Sequence, residues 1–170
     1  MAVKSENLTQ SDIEKIQAEI DERKLVMRPQ LIAAVKEARA QGDLSENFEY
    51  YAAKKAKNEN EGRIGYLERM LKFANIVSDE SAEDEVGIND FVTIEFVDDH
   101  EIEEYKIVTS IRGDSLKNYI STESPLGRAV TGHREGDICS VSLDNGGSYE
   151  VKIVSISKNS DDSDDALKTF

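Results

Sequence analysis

Gly42-Asp43-Leu44-Ser45-Glu46-Asn47 lies between two long stretches of helical periodicity. Before it, residues 9–41 carry Ile13, Ile16, Ile20, Met27, Leu31, Ala34 and Ala38 at steps of three, four or seven, the seam of a two-stranded coiled coil. After it, residues 47–75 carry Ala53, Ala56, Asn60, Ile64, Leu67, Leu71 and Ala74 on a similar spacing. The stretch is therefore expected at the tip of an antiparallel helical hairpin, with Gly42 supplying the left-handed residue that closes the first arm. Arms of about 30 residues, rising about 1.5 Å per residue, give a rod about 45 Å long. Arg23 and Gln30 interrupt the seam. Pro29 predicts a kink or short break near residues 26–29, because it removes one helical hydrogen bond and crowds the preceding turn.

Asp43 and Glu46 stand three positions apart at that tip, and two readings of them are compatible. In the first, Asp43 caps the returning helix and Glu46 completes a capping box, satisfying orphan backbone donors and complementing the helix dipole. In the second, the pair forms an incomplete Mg²⁺ site, since Mg²⁺ takes one or two protein carboxylates and keeps waters or phosphate oxygens for its remaining positions. Two carboxylates alone bind Mg²⁺ poorly, so a partner would have to complete the site.

The second half of the chain changes character. Residues 1–75 hold 13 Lys+Arg and 13 Asp+Glu, whereas residues 76–170 hold 8 and 22, the whole of the formal charge of −14. The acidic stretch 78–89 lacks apolar periodicity and reads as a linker after a hairpin of residues 1–77. From residue 90 the period is two: Val92, Ile94 and Phe96, then Ile102 to Val108, then Tyr119-Ile120-Ser121, and finally Cys139, Val141 and Leu143. Asn145-Gly146-Gly147 turns the last of these into Tyr149, Val151 and Ile153. Ser124-Pro125-Leu126-Gly127-Arg128-Ala129-Val130 reads as a turn followed by one or two helical turns. Residues 90–157 are thus expected to form a small, mostly antiparallel sheet with one short helix, making the chain α+β. The acidic tail 158–170 is expected to be disordered.

Composition excludes several classes. A net charge of −14 argues against direct binding of duplex DNA through its phosphates. The sequence has no apolar run long enough for a transmembrane span and no secretory leader, so a cytoplasmic protein without membrane contact is expected. The single cysteine, Cys139, excludes an internal disulfide and reads as a core residue. No glycine-rich phosphate loop, nucleophile elbow or HExxH motif occurs.

The segments Arg28-Pro29-Gln30-Leu31-Ile32-Ala33-Ala34-Val35, Gly42-Asp43-Leu44-Ser45-Glu46-Asn47-Phe48-Glu49-Tyr50, Ala52-Ala53-Lys54 and Glu61-Gly62-Arg63-Ile64 closely resemble the bacterial Gre-family transcript-cleavage factors, of the GreA type. Ile120-Ser121-Thr122-Glu123-Ser124-Pro125-Leu126-Gly127-Arg128-Ala129 resembles the C-terminal domain of the same family. The resemblance implies an N-terminal antiparallel coiled coil and a C-terminal domain of FKBP-like fold. It also implies an accessory factor, not a free-standing enzyme: the coiled coil enters the secondary channel of bacterial RNA polymerase and stimulates the polymerase's own cleavage of backtracked RNA 3′ ends. Asp43 and Glu46 would then coordinate the second Mg²⁺ of the polymerase active centre, and the free protein would hold none. Arg39, Tyr50 and Lys54 are candidates for RNA contact, although Lys55 and Lys57, which match the family pattern less clearly, can equally form a solvated face, and aromatic residues at helical spacing such as Tyr50 and Tyr51 more often pack across the hairpin. Ser124, Pro125, Leu126 and Arg128 are candidates for the polymerase contact. Three rival readings remain: a channel-binding regulator of the same architecture that inhibits without cleavage, a peptidyl-prolyl isomerase, and a structural coiled-coil adaptor. The isomerase needs an aromatic-lined pocket, which a chain with no Trp and few aromatic residues supplies poorly.

Overall fold

The computed structural model describes residues 4–42 and 47–169. They form two compact units, one spanning Asp12–Asn75 with the residues before Asn7, the other Ile76 onward with Asn7–Ser11. In chain order the N-terminal elements are β1 (Asn7–Leu8), α1 (Gln10–Glu22), a π-helical turn (Arg23–Met27), α2 (Arg28–Ala40), α3 (Phe48–Lys72) and β2 (Asn75–Ile76). The two helical arms are as expected. The feature foreseen at Pro29 takes a particular form: Glu22, Met27 and Arg28 all keep right-handed helical dihedrals, and the Arg28 N–H donates to the Arg23 carbonyl. One residue too many is thus accommodated in a widened turn, and Pro29 falls in the first turn of α2, where its missing N–H is tolerated.

Only part of the expected seam is buried. Ile16, Ile20, Ile64 and Leu67 are almost completely enclosed, and burying such side chains is worth about 1.5–3 kcal/mol each. Beyond the turn Ala34 is exposed, and Met70 in place of Leu71 is buried on the return arm. Polar residues fill the gap. Arg23 Nη1 donates to Asn60 Oδ1 at 2.9 Å, and Asn60 Nδ2 donates back to the Arg23 carbonyl at 3.2 Å. Glu19 accepts from Arg23 at 3.1 Å and from Arg63 at 2.7 Å. Burial alone would raise the Glu19 pKa, but the guanidinium groups of Arg63 and Arg23 outweigh it and hold the carboxyl below its ordinary range. Higher up, Arg28 grips Glu61 through two bonds of 2.7 and 2.8 Å, and Lys24 pairs with Glu68.

The second unit is a five-stranded sheet in the order β5-β4-β3-β7-β6. Its strands are β3 (Phe91–Phe96), β4 (Ile102–Val108), β5 (Tyr119–Ser121), β6 (Ile138–Ser142) and β7 (Ser148–Ser157), with the short helix α4 (Pro125–Val130) between β5 and β6. The sheet is mixed, because β5 runs parallel to β4 while the other pairs are antiparallel. Val92, Ile94, Ile107, Val141, Val151 and Ile153 alternate inward and pack with Leu126 and Val130 of α4, and Cys139 joins the same core.

The tail expected to be disordered does not stay apart from the sheet unit. Asp165 is buried, with its carboxylate on Lys106 and Arg112, and Lys158 donates to Ser81 Oγ and Asp90 Oδ2. Acidic composition suggested solvation, but a carboxylate that meets two buried cations is stabilised inside. Nor is the acidic stretch 78–89 wholly solvated: Val86 enters the core, and Asn89 is fully buried.

Candidate functional site

The distal end of the hairpin is built around Asn47. Its side-chain oxygen accepts from the Tyr50 N–H at 3.0 Å, capping α3, while its Nδ2 donates to the Ala38 carbonyl near the end of α2 at 2.8 Å. This corrects the expected capping box, in which Asp43 began the helix. An amide carries both a donor and an acceptor, so Asn47 can cap one arm and grip the other, which a carboxylate cannot do. Gly42, at φ +131°, turns the chain out of the first arm as foreseen. Asp43 and Glu46 themselves lie outside the described residues. They fall in the four-residue segment held between Gly42 and Asn47, and their hard oxygens suit Mg²⁺.

Arg39 and Tyr50 come together beside this cap. The guanidinium lies 5.5 Å from the Tyr50 ring centroid, and Arg39 Nη2 approaches the phenol oxygen at 3.5 Å. That contact, with the field of Arg39, Lys54 and Lys57, draws the Tyr50 pKa down against its partial desolvation. Tyr50 is only 8% exposed, so it packs across the hairpin, while Tyr51 and Phe48 face solvent at 51% and 86%. Lys54 and Lys55 are exposed, and Lys55 approaches Glu59 at 3.9 Å. The distal end therefore presents Arg39, Lys54 and Lys55 as cations and Phe48 and Tyr51 as aromatic faces. Phe48 had no periodic or charge signal to single it out.

In the second unit, Ser124 caps α4: its Oγ accepts from the Gly127 N–H at 3.1 Å and donates to the Ser121 carbonyl at 2.6 Å. Pro125 occupies the first turn. Gly127 is required because a Cβ there would stand 1.9 Å from the Ser121 carbonyl oxygen. Of the four residues expected at a polymerase contact, Leu126 is corrected to the core, since it turns inward among Val130, Val141 and their neighbours. Ser124 and Pro125 are half-buried, and Arg128 is exposed, with Nη1 on the Glu123 carbonyl at 2.6 Å. No described helix is long and apolar enough to cross a membrane.

Comparison with known proteins agrees across almost the whole chain. Residues 6–76 match the family model "Transcription elongation factor, N-terminal", and residues 80–158 match "Transcription elongation factor, GreA/GreB, C-term". The chain is 45% identical over 159 residues to transcription elongation factor GreA of Streptococcus gordonii, covering 93% of this chain and 99% of that protein. It is 44% identical to its counterpart in Streptococcus sanguinis with the same coverage. Among solved structures, the transcription factor Gfh1 is similar at 26% identity, with a TM-score of 0.46 over 91% of this chain and 99% of that one.

Proposed function

The chain belongs to the GreA/GreB family of transcription elongation factors, and from that premise we propose that it is an accessory factor that enters the secondary channel of bacterial RNA polymerase tip-first and stimulates cleavage of backtracked RNA 3′ ends. The observation that carries this reading is the pair Asp43 and Glu46 in a four-residue segment between Gly42 and an Asn47 that ties the two arms together. A pair of carboxylates can complete a metal site that a partner has half built.

Asp43 and Glu46 would hold the weakly bound second Mg²⁺ of the polymerase, which activates water and neutralises charge at the scissile phosphate. Everything else this chain contributes is positioning. The cap on α3 secures the first turn of that helix, and the same side chain ties it to α2. Arg39 and Lys54 offer cations to the phosphates of extruded RNA, and Arg39 is oriented for this by the Tyr50 ring beneath it. The hydrolysis belongs to the polymerase, and the factor is not itself an enzyme. Arg128, exposed at the end of a well-capped turn, is the side chain best placed for docking by the second unit.

The test is addition of the purified protein and Mg²⁺ to a stalled, backtracked elongation complex. Short 3′-terminal RNA products and resumed elongation are expected. Polymerase binding without products would identify instead a regulator that occupies the channel and inhibits. Arg128→Glu should weaken polymerase binding, and unchanged affinity would remove it from the docking surface.

A further inference from the structure

The sheet unit holds a buried cluster of charged side chains. Lys106 stands in β4 directly between Phe91 of β3 and Tyr119 of β5. Its Nζ lies 5.7 and 5.2 Å from the centroids of their rings. Alternation along β4 turns it away from Ile107 and the core. Arg112, at the end of the 3₁₀ turn Ser110–Arg112, directs Nη1 to the same place and is braced by Asn89 Oδ1 at 2.7 Å. Both cations are almost wholly buried, at 3% and 1% exposure. Between them sits one carboxylate: Asp165 accepts from Lys106 Nζ at 2.8 and 2.9 Å and from Arg112 Nη1 at 2.7 Å. Lys106 also donates to the Asp161 carbonyl at 3.1 Å.

The way the carboxylate is delivered resembles ligand binding more than core packing. Asp165 is buried while Asp164 and Ala166 on either side are exposed, so a single side chain is inserted from a segment lying on the surface. That segment follows residue 158, where the match to the family's C-terminal domain ends, whereas every pocket residue lies within residues 80–158. Two converging donors flanked by aromatic rings select a carboxylate by charge and geometry and leave little room for a neutral group.

We propose that Lys106, Arg112 and Asn89 form a carboxylate-recognition pocket, that the chain's own segment 159–169 occupies it in cis through Asp165, and that displacing this segment opens the pocket to an acidic peptide supplied in trans. The tether gives the resident carboxylate an effective concentration of millimolar order. An external peptide therefore binds when the segment is weakened, not beside it. The site is independent of the hairpin tip and of the cleavage reading.

Fluorescence anisotropy of a labelled peptide with the sequence of residues 159–169 tests this on the full chain. The peptide should bind the Asp165→Asn chain, which keeps the shape of the resident side chain without its charge. Affinity should be at least about tenfold weaker for the wild-type chain, and also for a peptide itself carrying Asp165→Asn, since a charge-assisted bond is lost. Absence of binding to a folded Asp165→Asn chain, or equal binding to both chains, would overturn the proposal. Should that variant fail to fold, hydrogen exchange on the wild-type chain decides. The Asp165 amide, bonded to the Asp162 carbonyl, should exchange faster in about 10 mM peptide, above the tether's effective concentration. An unchanged rate there would equally overturn it.

Discussion

The hairpin and the sheet unit both bury arginine, and they do so in opposite ways. In the hairpin, Glu19 stands between Arg23 and Arg63 with side-chain exposures of 25, 23 and 6%, so water reaches part of the network. In the sheet unit, Asp165 meets Lys106 and Arg112 at exposures of 1, 3 and 0%. The same ion-pair chemistry therefore has different consequences: a partly wet network adjusts when one member is lost, whereas a dry one is left with uncompensated charge. A hairpin proposed to enter another protein tip-first would benefit from tolerance along its shaft. A unit that holds one carboxylate between two buried cations does not need it.

Removing the central carboxylate from each network tests that contrast most directly. Asp165→Ala should destabilise the sheet unit by about 3–5 kcal/mol, because two buried cations lose their partner, and Glu19→Ala should cost the hairpin only about 1–2 kcal/mol. Urea unfolding followed separately in each unit measures both, and equal losses would break the comparison. Exchange of the tip carboxylates should have little effect on stability but a large one on activity. Asp43→Asn or Glu46→Gln is expected to lower RNA cleavage about 10²-fold, by analogy with loss of one transition-state ligand, while urea midpoints and polymerase binding hold. Cleavage at the wild-type rate would exclude a metal-holding role.

Acid sharpens the comparison further. The folded pKa values of Glu19 and Glu61 lie below the ordinary glutamate value of 4.5: for Glu19 burial raises it but Arg63 and Arg23 prevail, and for Glu61 the Arg28 bond dominates. Their stabilisation is therefore fully present above about pH 4.5 and fades as pH falls through the lowered folded values. Helix content of the Glu19→Gln chain should accordingly depend less on pH below 4.5 than that of the wild type. A matching acid transition would assign the effect elsewhere. The smallest effect is expected for Asn47→Asp, which keeps the cap on α3 but has no donor for the Ala38 carbonyl. About 1 kcal/mol of hairpin stability should be lost, read from the thermal midpoint, with a measurable fall in cleavage.

Much of this architecture was legible because it is local. Alternation places β3, β4, β5 and β6 close to their observed limits, while β7 runs four residues past Ile153, and Gly42 marks the end of the first arm. Composition gives no sign of the buried Asp165 within the acidic tail, because its environment depends on Lys106 and Arg112, which lie 59 and 53 residues away. Spacing puts Asn60 into an apolar seam and makes Arg23 an interruption of it, although the two bond across the hairpin. No periodicity reveals such a pair. Around the tip, residue types point to metal chemistry and to capping, and the structure gives the cap on α3 to Asn47.

The π-helical turn Arg23–Met27 acts as a built-in shift of helical phase. An α-helix advances about 100° and 1.5 Å per residue, so the one residue absorbed there sets which face of α2 meets α3 from that point to the tip. A single-residue deletion within the turn would restore a regular helix and swing Arg39 about 100° around its axis, away from Tyr50, without touching any residue of the tip. The aim of the distal end is thus set about four helical turns upstream of Arg39, by a count of residues more than by their identity.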